Sequence, residues 1–238
     1  MTTETLLRAR DLAIRFGGVA AVQGVSLSLS DGELRCIIGP NGAGKSTLFN
    51  LLAGSLKPDH GTIEFGGRSI VGLAVHEFAR VGIARKFQVP SLFTSLTVRE
   101  NLSVASRVRE GAMNREARIE RTLVDLELED CVNVLAGELP HGQKQWLEIG
   151  MALMSRPRLL LLDEPTAGMG PEETQKTARL LLGLASSLTI VVIEHDMYFV
   201  RALASPTLVL HQGQIIAEGN FADIERNDLV RDVYLGRQ

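Results

Sequence analysis

Period-two alternation marks one stretch near the start of the chain, Val25-Ser26-Leu27-Ser28-Leu29-Ser30. It predicts a strand buried on one face, and Asp31-Gly32 after it predicts a turn back into an antiparallel hairpin. Leu34 to Ile38 follows a different rule: all but Arg35 are apolar, the pattern of a strand covered on both faces in a parallel sheet. It runs straight into a glycine-rich segment. A helix is expected from Lys45 to about Ala53, closed by Gly54, and Gly61 to Gly67 reads as a short hairpin strand. From Leu92 to Leu139 the texture turns helical, charged around Arg107 to Arg121 and apolar at Ile119, Leu123, Leu126 and Leu128, which predicts a helical insertion. Two apolar runs, Leu159 to Leu162 and Thr189 to Ile193, then flank a helix starting at Pro171, with Glu172 and Glu173 in the first turn, where the helix dipole favours acids. Strand, helix, strand is a parallel crossover unit. A last hairpin, Leu208 to Ile216 around Gln212-Gly213, precedes a mainly polar C-terminal helix. The pattern is that of an α/β fold.

Composition narrows the class. With 238 residues, 45% of them hydrophobic, the chain can bury a core as one domain. Lys plus Arg number 25 against 28 Asp plus Glu, a net charge of −3 with no long run of one sign, so nucleic acid is not an expected partner. Cys36 and Cys131 have neither metal-ligand spacing nor the density of a disulfide scaffold and read as structural thiols. Met1-Thr2-Thr3-Glu4 lacks the basic region followed by an apolar one that a secretory leader is expected to show, and no apolar run approaches the ~18 residues that span a bilayer. The expected place is the cytosol, unless a partner holds the chain at a membrane.

Gly39-Pro40-Asn41-Gly42-Ala43-Gly44-Lys45-Ser46-Thr47 matches the phosphate-loop pattern G-x-x-x-x-G-K-[ST] between an expected strand and an expected helix. Its glycines let backbone amides turn inward around phosphates, and the helix N-terminus adds partial positive charge. Lys45 brings a full charge to the β- and γ-phosphates of ATP, and Ser46 is the expected Mg²⁺ ligand. Asp163 and Glu164 stand at the C-terminal end of a buried strand, where open α/β sheets bind ligands. Asp163 is expected in the metal shell and Glu164 beside the water that attacks the γ-phosphate. His195 stands just past another buried strand, and on that ground alone it is more often a hydrogen-bonded loop residue than a catalytic one. Asp196 after it has the chemistry of a helix N-cap.

Leu139-Pro140-His141-Gly142-Gln143, opening a helix between the phosphate loop and the acidic strand, resembles the signature motif of ABC-type ATPases. The resemblance covers nearly the whole chain, with the motifs in family order. It implies a single nucleotide-binding domain over residues 1–238: a P-loop NTPase (RecA-like) core with a parallel sheet, an antiparallel β subdomain and a helical subdomain inserted at about 89–145. It implies that His195 meets the γ-phosphate, that Gln88 is the Q-loop glutamine reaching metal or attacking water, and that Phe16 stacks on adenine. The signature residues would face the γ-phosphate held by a second subunit, giving a head-to-tail dimer with composite sites. Pro140 and His141 depart from the usual serine and glycine; proline in the first helical turn would leave the amides aligned and His141 as a substitute donor. Gly170 departs too, where many relatives carry Asp or Asn for contacts across the dimer.

Arg85-Lys86-Phe87-Gln88, the run His141 to Met151 and Ala167-Gly168-Met169 are similar to ATP-binding subunits of bacterial importers for branched-chain amino acids and urea, most of all the urea branch. Kinship of that kind implies two transmembrane permease subunits as partners, a periplasmic solute-binding protein acting indirectly, and a place on the inner face of the cell membrane. The expected solute is urea or a short amide, with a branched-chain amino acid as the alternative. An exporter subunit or a soluble ABC protein fits less of the sequence, and a simple phosphate-loop kinase leaves the signature unexplained.

Overall fold

The computed structural model describes residues 4–86, 92–106 and 112–235. In chain order come β1 (Thr5–Phe16), β2 (Val19–Ser30), β3 (Leu34–Ile38), α1 (Lys45–Leu52), β4 (His60–Phe65), β5 (Arg68–Ser69), α2 (Val75–Val81) and β6 (Ile83–Lys86). Helices α3 (Val98–Ala105), α4 (Ala112–Asp125) and α5 (His141–Leu153) follow, then β7 (Leu159–Asp163), α6 (Pro171–Leu184), β8 (Thr189–Ile193) and α7 (Met197–Leu203). The chain closes with β9 (Thr207–His211), β10 (Gln214–Gly219), α8 (Phe221–Arg226) and α9 (Asp228–Leu235).

The strands form an antiparallel sheet in the order β2-β1-β4-β5 and a second sheet in the order β10-β9-β3-β8-β7-β6. In the second, β9, β3, β8, β7 and β6 are parallel and only β10 runs against its neighbour. The hairpin partner of Val25 to Ser30 is therefore the preceding β1, not the strand after Asp31-Gly32. That turn instead hands the chain from one sheet to the other. The physical reason lies in β3, which is apolar on both faces and needs cover on both, whereas β2 alternates buried and exposed residues from Val25 to Leu29.

Two cores account for the uniformly apolar strands. Leu160, Leu162, Ile190 and Val192 face a core shared with α5, α6 and the helical region, while Leu159, Leu161, Val191 and Ile193 face one shared with α1 and the antiparallel sheet. Within the helical region, Ile119, Leu123, Leu126 and Leu128 are all buried, as their spacing predicts. Its entry is stitched by Asn101, fully buried, whose side chain bonds the backbone of Phe93, Leu96 and Thr97. The C-terminus holds two helices rather than the single polar one expected, separated by Asn227, whose side chain accepts from Val230 N at 3.2 Å. Phe221, Ile224 and Val230 give these helices a buried apolar edge. Among the described residues, no helix is long and apolar enough to cross a membrane.

Both cysteines are buried and unpaired. Burial pushes the Cys36 thiol up to about 11, against a minor opposing bond from Ser205, and burial also raises Cys131. An aromatic disulfide reagent at pH 8 is expected to leave both thiols untouched in the folded chain and to modify both in denaturant; fast reaction of the native protein would contradict their burial. Because the folded-state pKa of Cys36 lies above its ordinary 9.0, its contribution to stability is present below pH 9 and fades as pH climbs toward about 11.

Candidate functional site

The loop from Gly39 to Gly44 leaves β3 at the edge of the sheet's carboxyl end and turns into α1. Lys45 is only 7% exposed; its Nζ donates to the Gly39 carbonyl at 2.7 Å and the Pro40 carbonyl at 3.0 Å. Burial lowers its pKa, and the nearby Glu164 and Asp163 carboxylates oppose that shift. At Gly44 φ is +101°, and a Cβ there would lie 2.3 Å from the Ala21 carbonyl oxygen of β2. Only glycine fits, because the obstacle is backbone. The Ala43 carbonyl accepts from Gly213 N at 2.8 Å, and the Gly213 carbonyl accepts from Gln23 N at 2.8 Å, so β2 and the β9–β10 turn both grip the loop. The result is a cavity of about 410 Å³ lined by the run from Asn41 to Thr47 with Val19, Gln23, Glu164 and Gln212.

Asp163 ends β7 at 2% exposure. Its Oδ2 meets the Arg85 guanidinium at 3.3 Å, while its Oδ1 is buried with no hydrogen-bond partner among the described residues. Burial raises its pKa, Arg85 lowers it, and Glu164 raises it again. Arg85 itself is steadied by the Asn50 side chain and by the face of Phe49, 5.6 Å to the ring centre. Glu164 sits at φ +48°, a left-handed backbone that costs a non-glycine residue about 1 kcal/mol or more and is held by its N–H donating to the Ile193 carbonyl at 2.9 Å. His195, just past β8, places Nδ1 3.3 Å from Glu164 Oε1. Glu194, 1% exposed, knits the two strand ends: its carboxylate accepts from Thr166 Oγ1 at 2.6 Å, Thr166 N at 3.1 Å and His195 N at 3.1 Å. Asp196 caps α7 as expected, accepting from Tyr198 N at 2.8 Å.

An orphaned buried carboxylate oxygen on the strand beside a phosphate loop suits a hard divalent ion that takes a few oxygens from protein and the rest from phosphate and water. Among the described residues no group of three or more His, Cys, Asp or Glu is arranged to hold a metal ion by itself.

The signature segment lies elsewhere. Leu139 is buried, and none of Leu139 to Gln143 lines the cavity. Pro140 is the N-cap of α5, at φ −54° and ψ 157°, so it stands one residue ahead of the helix rather than in its first turn. His141 Nε2 lies 2.8 Å from the Ala167 carbonyl, which engages its ring within the same chain. That contact occupies one ring nitrogen of the residue expected as a substitute donor to phosphate. Gly142 N donates to Glu173 Oε1 at 3.2 Å, and Gly170 N donates to Glu173 Oε2 at 3.1 Å. Phe16, half exposed at the end of β1, does not line the cavity, whereas Val19 at the start of β2 does. Gln88 lies outside the described residues; two positions earlier, Lys86 forms a buried ion pair with Glu148 at 3.3 Å.

Arg85, Glu194 and Glu173 make contacts that the sequence did not predict, although Glu173 was expected in the first turn of its helix. For Glu173 a signal existed: it stands three residues after Gly170, the spacing at which a helical acid reaches back to the capping N–H.

The ABC transporter family model matches residues 22–167. The high-affinity branched-chain amino acid transport ATP-binding protein BraF of Pseudomonas aeruginosa is 38% identical over 249 residues, spanning 97% of this chain and 98% of its own length. A crystal structure of the ADP conformation of an ATP-binding cassette of an ABC transporter superposes with a TM-score of 0.88 at 33% identity, over 99% of this chain and 100% of that one. A dimeric ATP-binding cassette in a post-hydrolysis state, bound to ADP and Pi, superposes at 0.77 with 27% identity, over 91% of this chain and 99% of that one. With phosphate loop, acidic strand end and signature helix in their family order on the matching fold, the chain belongs to the ABC transporter family, as one of its ATP-binding, ATP-hydrolysing subunits.

Proposed function

We propose that this chain is the ATPase subunit of a bacterial importer and that its solute is a branched-chain amino acid rather than urea. The observation that carries the ATPase assignment of individual residues is that buried Lys45 and Glu164 line one cavity while His195 rests on Glu164. The amides of Gly39, Pro40 excepted, through Asn41, Gly42, Ala43 and Gly44 cradle the phosphates, and Lys45, Ser46 and Thr47 complete the cradle. Glu164 accepts a hydrogen bond from the attacking water and orients it, and His195 steadies the carboxylate from the other side. Bound Mg²⁺, for which Ser46, Asp163 and Gln88 are the proposed ligands, would offset charge on the β- and γ-phosphates. Phe16 is the proposed adenine platform.

The chain is read as one nucleotide-binding domain over residues 1–238, its helical part inserted at about 89–145. A second ATPase subunit, of this chain or a similar one, would supply the signature helix, a reading supported by the occurrence of a dimer in one structural neighbour. Two transmembrane permease subunits would anchor the pair at the inner face of the membrane, with a periplasmic solute-binding protein acting through them. Solute choice follows the relatives: BraF is a branched-chain amino acid protein, whereas the urea reading rests on likeness in the run from His141 to Met151 and in Val233-Tyr234-Leu235-Gly236. Reconstituted with its co-purifying permease and binding proteins, the complex is expected to raise its ATPase rate when leucine, isoleucine or valine is supplied, and not with urea. Stimulation by urea alone would reverse the choice of solute.

A further inference from the structure

Three amides at the start of α5 precede the first intrahelical bond, which Lys144 N makes to the Pro140 carbonyl at 3.1 Å. One of them, that of Gly142, is already taken by the Glu173 carboxylate at 3.2 Å. The same carboxylate takes the Gly170 amide at 3.1 Å with its other oxygen, so it joins the α5 N-terminus to the start of α6. The approach is close: a Cβ at Gly142 would lie 2.4 Å from Glu173 Oε1. His141 Nε2, 2.8 Å from the Ala167 carbonyl, fastens the same two segments a second time. The fastened segment begins three residues after Glu164.

We propose that Glu173 is a positioning residue for the α5 N-terminus, which holds the Gly142 amide while the subunits are apart and must yield it to the γ-phosphate of ATP when they close. The inference rests on the reading that the α5 amides face nucleotide held by a second subunit. A carboxylate and a phosphate make the same demand on the positive end of a helix, and one N–H serves only one of them well. Two anions brought to about 4 Å repel even in water by enough to change an equilibrium roughly fivefold. Glu173 therefore sets how much ATP closure requires.

The test uses the full chain carrying Glu164→Gln, in which slowed hydrolysis is expected to let ATP-bound dimers persist, with and without Glu173→Gln. Glutamine removes the charge and keeps one acceptor oxygen for one amide. Dimer fraction against ATP concentration, followed by sedimentation, is expected to shift to roughly fivefold lower half-saturating ATP in the double variant. Raising the salt concentration is expected to narrow the gap between the two proteins, because screening weakens the repulsion that Glu173 contributes. Dimers forming at the same or higher ATP in the double variant would overturn the role of Glu173 and leave the two-subunit reading standing. Absence of any ATP-dependent dimer in the Glu164→Gln protein would overturn that reading, and the inference with it.

Discussion

Glu164→Gln is expected to cut steady-state ATP hydrolysis by a hundredfold to ten-thousandfold, the range for removing a general base, while ATP still binds. The substitution changes one oxygen for an NH2 and leaves the volume alone. The left-handed turn at φ +48° and the amide bond to the Ile193 carbonyl belong to the backbone, so the side chain keeps its aim into the cavity. What is lost is the acceptor for a water proton and the negative partner 3.3 Å from His195 Nδ1. Single-turnover phosphate release and equilibrium ATP binding, measured on the same preparation, separate the two effects. Hydrolysis at the normal rate would remove Glu164 from its role and turn attention to Glu194, which the fold uses as a strut.

Lys45→Met is expected to weaken ATP binding by about 2–5 kcal/mol, a factor of thirty to several thousand, the cost of losing one partner of a buried charged contact. Methionine replaces the lysine stem with apolar volume in a position that is 7% exposed, so folding should survive and circular dichroism should be unchanged. The cation, held at 2.7 and 3.0 Å by two loop carbonyls, has no replacement among the residues lining the cavity. Since burial lowers the Lys45 pKa, wild-type affinity for ATP is expected to decline with rising pH below the ordinary lysine range. Titration of a fluorescent ATP analogue reads both effects. Affinity of the Met variant within threefold of wild type would show that the backbone amides alone hold the phosphates.

The central strands were legible because each pattern had one cause. Leu159 to Leu162 and Thr189 to Ile193 are apolar at every position but Thr189 since successive residues serve opposite cores, and the functional side chains follow at their carboxyl ends. The phosphate loop was legible for a similar reason: glycine and lysine at fixed spacing answer to phosphate rather than to packing. The partner of β2 was not legible, because a turn such as Asp31-Gly32 says that the chain changes direction and not which sheet it joins. Asn227 likewise looks like any polar position within a helix until Phe221 and Val230 are seen buried on the two helices that it separates. Arg85 and Glu173 escaped for a further reason. Their partners, Asp163 and Gly142, lie 78 and 31 residues away, and charge pairing over such separations leaves no periodic trace.

The grip on the phosphate loop has a thermodynamic side. Ala43 is tied through Gly213 to Gln23, and the backbone at Gly44 approaches Ala21 too closely for any side chain. The loop, β2 and the β9–β10 turn are therefore expected to unfold together, and hydrogen exchange at their amides checks this. Energy gained from nucleotide at the loop is accordingly expected to spread through β2 to its partner β1, so that the first strands of the chain gain in stability when ATP is bound.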